Sequence, residues 1–464
     1  MTIKLANSES LSKAENSSPC LAAAPQLRLF PLSGKRIEAS FSGERISSDG
    51  GLLLLRELEN QLGLLSNFAQ ALSDDRHQSY VRHSTEELLV QRVFQIAAGY
   101  EDVNDSKELS SDHVMKLCAG RLPQSDDLGS ASTMCRFENA VSRSELYRIA
   151  EVFLDHFVGS YGNQAPRVIV LDCDDTNHNC HGNQQQCLFN TYYKEHCLMP
   201  LHIYEGLSGK LITSILKPGR RAKGVCILAI LRRIIERLTK RWPETRIVIR
   251  GDSHFCSPEL MEWTGQMEKV HFLTGLGGNP KLSRLVAPTL ERAKAEFDRT
   301  GQAVKRYTEF SYQAGTWKHP QRVVAKVEYS DKGPNVRFIV SDMQCGRKYL
   351  YEALYCARGG MELFLKNHKV DLKSDRSSCN RFEANQLRLF LHSAAYVLIH
   401  TLQKEVLKGT KFASATMKTI QLKVLKVAAK VTELKHKIKI VFPACTPHKA
   451  KLENAFELFR MLSG

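Results

Sequence analysis

From Gly50 to about Phe157 the apolar residues recur every three or four positions, the period of helices that bury one stripe. Leu52 to Leu65 is apolar-rich. Ser84-Thr-Glu-Glu87 has the form of a capping box and opens a helix from Leu88 to Ala98, ended by Gly99. Ser132 to Asn139 is a further helical segment leading into Leu146–Leu154. At Pro166 the period changes. Arg167-Val-Ile-Val-Leu-Asp172-Cys-Asp174-Asp175 reads as a buried strand ending in acids. Leu201–Glu205 and Lys210–Leu216 read as a hairpin across Gly206-Leu-Ser-Gly209. An amphipathic helix from Val225 to Leu238 follows, then a strand Arg246–Asp252, a short helix from Pro258 and a strand Val270–Gly275. The order βββαβαβ predicts an α/β fold in which an antiparallel hairpin is extended by parallel crossovers.

Past Leu276 the alternation breaks. A helix around Leu290–Phe297 precedes three expected strands, near Val304–Tyr312, Gln321–Tyr329 and Val336–Ser341. Helical periodicity returns near Arg347, and a second apolar helix runs from about Asn385 to Leu402. The pattern divides the chain into a loosely ordered lead-in (1–35), an all-α N-terminal region (36–165), the first part of the α/β core (166–275), a β-rich insertion (276–345), the final part of the core (346–402) and a Lys-rich amphipathic C-terminal region (403–464).

At 464 residues the chain exceeds one compact core, and 43% hydrophobic content is that of a folded protein. No run of about 18 uncharged apolar residues occurs, so no membrane span is expected. The N-terminus lacks the apolar centre of a signal peptide, which predicts a cytoplasmic location. The net charge of +16 is the footprint of a polyanion-binding protein and points to nucleic acid. Thirteen scattered cysteines in such a compartment argue for reduced thiols.

Three acids stand out by position. Asp174 and Asp252 end strands, where α/β sheets open a crevice for ligands, and Glu362 lies on a helix after the sheet. Carboxylates gathered there repel one another, and hard divalent cations such as Mg²⁺ or Mn²⁺ reverse that penalty. Two such ions suit phosphoryl transfer. Asp172 shares the face of Asp174 by the two-residue period and is the reserve first ligand. Two strand-end acids plus a helix acid form a ribonuclease-H-like pattern. Around Glu362, Tyr355, Arg358 and Lys369 fall within roughly 60° of it on a uniform α-helix, a stripe fitted to a phosphate backbone.

The spacing Y-x2-R-x3-E-x6-K resembles the signature of DDE insertion-sequence transposases. Leu171–Thr176 with His181-Gly182 is similar to the family's first-Asp segment, Arg250–Phe255 to its second, and Asp375–Cys379, Asn385–Leu389 and Gly99–Asp105 continue the likeness. The resemblance implies a ribonuclease-H-like catalytic domain interrupted by the β-rich insertion. Asp174, Asp252 and Glu362 become catalytic ligands of two Mg²⁺ ions (Mn²⁺ substituting), and Tyr355, Arg358 and Lys369 become contacts to double-stranded DNA. It also implies a homodimer on DNA and no small-molecule substrate. The alternatives are a non-catalytic DNA-binding protein of transposase descent and a nuclease without strand transfer.

Three side readings complete the expectations. Arg220 and Arg221, in the basic loop Lys217–Lys223, are candidate phosphate contacts. Trp317 is a candidate for stacking on an unpaired base. Cys173, His178, Cys180, His181, Cys187, His196 and Cys197 crowd together, but their spacings match no zinc finger.

Overall fold

A computed structural model of the chain describes residues 27–220 and 224–462. The chain divides into two compact units, residues 1–46 and 47–464. In the first, Leu27–Leu32 and Lys35–Ala39 form an antiparallel hairpin. Ser33 and Gly34 turn it with φ of 49° and 76°, the left-handed geometry that two-residue hairpin loops require. The expected loose lead-in (1–35) therefore contains a strand, and its partner opens the region expected to be all-α (36–165), because apolar residues alternate on both sides of that turn.

The second unit is built on one eight-stranded mixed sheet. Its strands are β1 (Val168–Asp175), β2 (Leu201–Glu205), β3 (Leu211–Ile215), β4 (Arg246–Gly251), β5 (Val270–Leu276), β6 (Val304–Tyr312), β7 (Gln321–Ser330) and β8 (Gly333–Ser341). They lie in the order β6-β7-β8-β5-β4-β1-β2-β3. β1, β4 and β5 are parallel, and β2 and β3 form an antiparallel hairpin beside β1. That half is the ribonuclease-H-like sheet the sequence predicts. The segment 276–345 adds its three strands to the same sheet, with β8 antiparallel to β5. A small three-stranded sheet, His178–Asn179, Leu188–Asn190 and Glu195–Leu198, fills the connection from β1 to β2, where the sequence pattern predicts no strand.

The helices that position the site are α1 (Thr85–Ala98), α2 (Arg143–Gly159), α3 (Gly224–Arg241), α4 (Pro280–Thr300), α5 (Gly359–Lys366) and α6 (Phe382–Thr401). Ser84 caps α1 by accepting the Glu87 amide at 3.1 Å. The Glu87 carboxylate turns instead to His83 and Arg121, whereas a reciprocal capping box does form at Ser142 and Glu145, opening α2. Every residue of α6 from Ala384 to His400 is buried, as expected for a helix covered on all sides. It packs on β3 and on α1, so the helical N-terminal layer and the sheet share one core. Within it Glu138 accepts Arg92 at 2.8 Å and Arg388 at 3.1 Å. Arg92 also donates to the carbonyls of Tyr100 and Glu101, which holds the Gly99–Asp105 segment. The basic C-terminal region contains a hairpin (Lys430–Leu434, Lys437–Val441) and a helix (Lys449–Leu462), and buries Val431, Leu452 and Phe459 in the same core. Among the described residues no helix is long and apolar enough to cross a membrane.

Candidate active site

Alternation along β1 sorts its residues onto two faces. Leu171 and Cys173 face one apolar layer with Ile203, Ile249 and residues of α3. Asp172 and Asp174 face the other side, toward the helical run Arg347–Asp371 and α6.

Asp172 is wholly buried and held by Arg250, its register partner on β4, through Nε–Oδ1 at 2.5 Å and Nη2–Oδ2 at 2.7 Å. Arg250 spends a third donor on the Leu354 carbonyl. A Cβ at Gly206 would lie 2.4 Å from Asp172 Oδ2 and 2.7 Å from Arg250 Nη2, so only glycine leaves room for this pair. Asp175, on the opposite face, is closed by Lys217 at 2.6 Å.

Asp174 differs from both. Its side chain keeps 20% of its exposure, and its Oδ2 meets Arg358 Nη2 at 2.8 Å. Burial pushes its carboxyl up to about 6; Arg358 opposes that shift, and the neighbouring Asp252 and Asp175 carboxylates add to it. Asp252 follows β4 in the position next to Asp174, because Cys173 and Gly251 are register partners. Its Oδ1 accepts the His254 amide at 2.7 Å, and its Oδ2 lies 3.7 Å from His254 Nδ1. The Tyr355 hydroxyl closes this side: a Cβ at Gly275 would be 2.8 Å from it and 2.9 Å from the Ser253 amide. Burial and the Asp252 charge hold that phenol above its ordinary range.

The signature residues do not lie on one uniform helix. The run is helical throughout, but Leu350–Tyr355 and Asn367–Asp371 are π-turns and Cys356–Arg358 is a 3₁₀ turn, with α5 between. Each changes the angle per residue, so the stripe computed at 100° per residue breaks up. Tyr355 and Arg358 reach the two aspartates. Lys369 Nζ instead donates to the Asn177 carbonyl at 2.6 Å and to its side-chain oxygen at 3.0 Å. Glu362 is exposed, one turn beyond Arg358, with no hydrogen-bond or ion-pair partner among the described residues. Beside Lys369 opens a polar cavity of about 820 Å³ whose lining includes Asn177, Gln184, Lys373, Arg376 and Asn380.

Two adjacent carboxylates that repel each other are hard-oxygen donors of the kind a divalent cation neutralises, and the donor chemistry fits Mg²⁺ or Mn²⁺. Among the described residues no three His, Cys, Asp or Glu side chains converge closely enough to hold an ion, so Glu362 stands outside the Asp174–Asp252 pair.

Other expected contacts fare differently. Trp317 is a correction: it is 7% exposed, packed edge-on against Tyr312 at 5.4 Å, and so presents no face for a base. Arg220 is exposed, and Arg221 lies outside the described residues. Lys217 of the same loop is buried and committed to Asp175. Gly359 and Gly360 face open space, so nothing in the chain approaches them closely. Of the Cys/His group, Cys180 and Cys187 are joined by a disulfide, against the expectation of free thiols throughout, and Cys173 and His178 are buried. Sequence reasoning missed Arg250 and His254 as partners of the acids. The legible signal was an arginine inside an apolar strand, which demands a buried counter-charge.

Residues 30–463 match the family described as "Transposase DDE domain group 1", and the chain belongs to that family of DDE transposases. Among solved structures it is similar to the piggyBac transposase in a synaptic complex with hairpin DNA. The identity is 13% and the TM-score 0.41, over 82% of this chain and 80% of that one. No curated protein matches the sequence.

Proposed function

We propose that this transposase binds the terminal inverted repeats of its own element, nicks them at the 3′ end and joins the freed 3′-hydroxyl to target DNA. One observation carries the reading: Asp174 and Asp252 stand side by side at the ends of β1 and β4, closed over by Arg358 and Tyr355 of the signature. Asp174 and Asp252 would hold the metal, with Glu362 brought in from α5 as third ligand. Two Mg²⁺ ions, or Mn²⁺, supply activation of the attacking oxygen and stabilisation of the leaving one.

The chain's own groups do the rest. Arg358 and Tyr355 hold the phosphate at the break, and Lys369, Lys373 and Arg376 guide the strand along the polar cavity. Arg220 and Arg221 are further backbone contacts. In the first step water attacks phosphorus and the P–O3′ bond breaks, leaving a 3′-hydroxyl and a 5′-phosphate. In the second that hydroxyl attacks a target phosphate and displaces its 3′ oxygen, one phosphodiester forming as another breaks. No covalent protein–DNA intermediate is needed. Two ends require at least two copies of the chain on DNA, and a cytoplasmic, nucleoid-associated location follows.

A labelled end duplex in Mg²⁺ tests this. Asp252→Asn is expected to keep end binding and lose nicking and joining; full cleavage by that variant overturns the assignment. A protein that binds but never nicks is the non-catalytic alternative, and nicking without joining is the plain nuclease.

A further inference from the structure

We propose that in the free protein Arg358 fills the cationic place beside Asp174 that a divalent ion would take. Capture of a DNA phosphate by Arg358 then frees Asp174, so that DNA and metal bind cooperatively. The proposal rests on the reading of Asp174 as a metal ligand.

Four observations point to an exchangeable contact. The guanidinium touches Asp174 through one nitrogen at 2.8 Å, where a fork can make two parallel bonds. Arg358 Nε is buried with no hydrogen-bond partner, a deficit that a phosphate oxygen would remove. Arg358 ends a 3₁₀ turn and is followed by Gly359 and Gly360, both facing open space, so the backbone can adjust there without a clash. The nearest comparable pair, Asp172 with Arg250, uses both carboxylate oxygens and a backbone carbonyl, and leaves nothing to exchange.

A guanidinium and a divalent ion cannot share one carboxylate cheaply, since like charges held that close repel strongly where water is partly excluded. A phosphate oxygen offers Arg358 an equivalent anion that no ion needs to displace. Each ligand therefore removes an obstacle to the other, and linkage makes the effect reciprocal.

The test is Mn²⁺ binding to the full chain, followed by electron paramagnetic resonance at pH 8, with and without a 30-base-pair duplex of arbitrary sequence at low salt. That pH lies above the ordinary range of carboxyl groups, so the site is tested with its carboxylates charged. For the wild-type chain the duplex is expected to tighten Mn²⁺ binding about tenfold, or about 1.4 kcal/mol. Arg358→Gln is expected to bind Mn²⁺ about tenfold more tightly than wild type without DNA, and to lose the coupling. Arg358→Lys keeps the charge and should retain part of the coupling. No coupling in wild type, an unchanged or weaker Mn²⁺ affinity in Arg358→Gln, or identical behaviour of the Gln and Lys variants each overturns the exchange. Asp174→Asn separates the two levels. If it binds Mn²⁺ as wild type does, the metal-ligand reading itself fails. If it abolishes binding while Arg358→Gln changes nothing, only the exchange fails.

Discussion

Asp172 and Asp174 lie two residues apart on one face of β1, and each meets an arginine. The Asp172–Arg250 pair is sealed: side-chain exposures of 0% and 3%, two parallel contacts, a carbonyl on the third donor and a glycine making room. The Asp174–Arg358 pair keeps 20% and 19%, makes one contact and strands a buried nitrogen. A buried charge tolerates only full satisfaction, so the first pair is fixed by the fold. The second is incomplete in a way that a ligand would complete. Position at the strand end, where backbone neighbours run out, makes the difference.

The largest effect expected from this contrast is on stability. Arg250→Gln should cost about 3–5 kcal/mol, because it leaves a buried carboxylate uncompensated. Arg358→Gln should cost less than about 1 kcal/mol. Urea unfolding of both variants checks this, and equal costs would break the comparison. Next in size, Gly206→Ala should cost about 1–3 kcal/mol by forcing a methyl into the Asp172–Arg250 pair. A value near zero would mean that the pair is not sealed.

The layer beneath Asp174 gives a pH test whose effect is smaller residue by residue. His202 is the register partner of Asp174, and His178, His368, His392 and His400 are buried with it on the α6 side. Burial holds all five in the neutral form, His368 down to about 3 and His400 to about 4, with His178, His202 and His392 well below their ordinary value. Their folded values are depressed, so between those values and about 6.5 the unfolded chain binds more protons. Stability is therefore present above about pH 6.5 and is lost as the pH falls. Each such histidine contributes up to about 1.4 kcal/mol per pH unit. Unfolding measured at pH 7.5 and 5.5 should show the loss, and His368→Gln should reduce it by about 1.4 kcal/mol. An unchanged slope in that variant would show that His368 titrates normally.

Much of this was legible in the sequence and some was not, for identifiable reasons. The order of strands and helices from Pro166 to Ser341 follows from period changes, and the strand-end acids follow from the strands. The sequence does not choose between Asp172 and Asp174, because period two places both on one face. What separates them is Arg250, a partner brought alongside only by the parallel pairing of β1 and β4. The signature stripe was drawn on a uniform helix, and the π- and 3₁₀-turns that redirect Lys369 have no periodic signature of their own. Trp317 carried no sign of which side of its loop faced the core. The small sheet at 178–198 was invisible because its strands have two to four residues.

The smallest effects on stability belong to the exposed part of the signature, and they sharpen the contrast most. Gly359→Ala, at a helical φ of −53° in open space, should stabilise by up to about 1 kcal/mol, the reverse of Gly206→Ala. Glu362 takes the argument to its limit. It is exposed and partnerless among the described residues, so Glu362→Gln should leave unfolding within about 0.5 kcal/mol of wild type. If its carboxylate is recruited only when metal and DNA arrive, the same variant should lose Mg²⁺-dependent nicking while binding the end duplex normally. A residue that the fold does not need and the reaction does is what an unfinished site requires. If Glu362→Gln nicks like wild type, the third ligand must be sought elsewhere, and the Asp174–Asp252 pair would have to serve with a different partner.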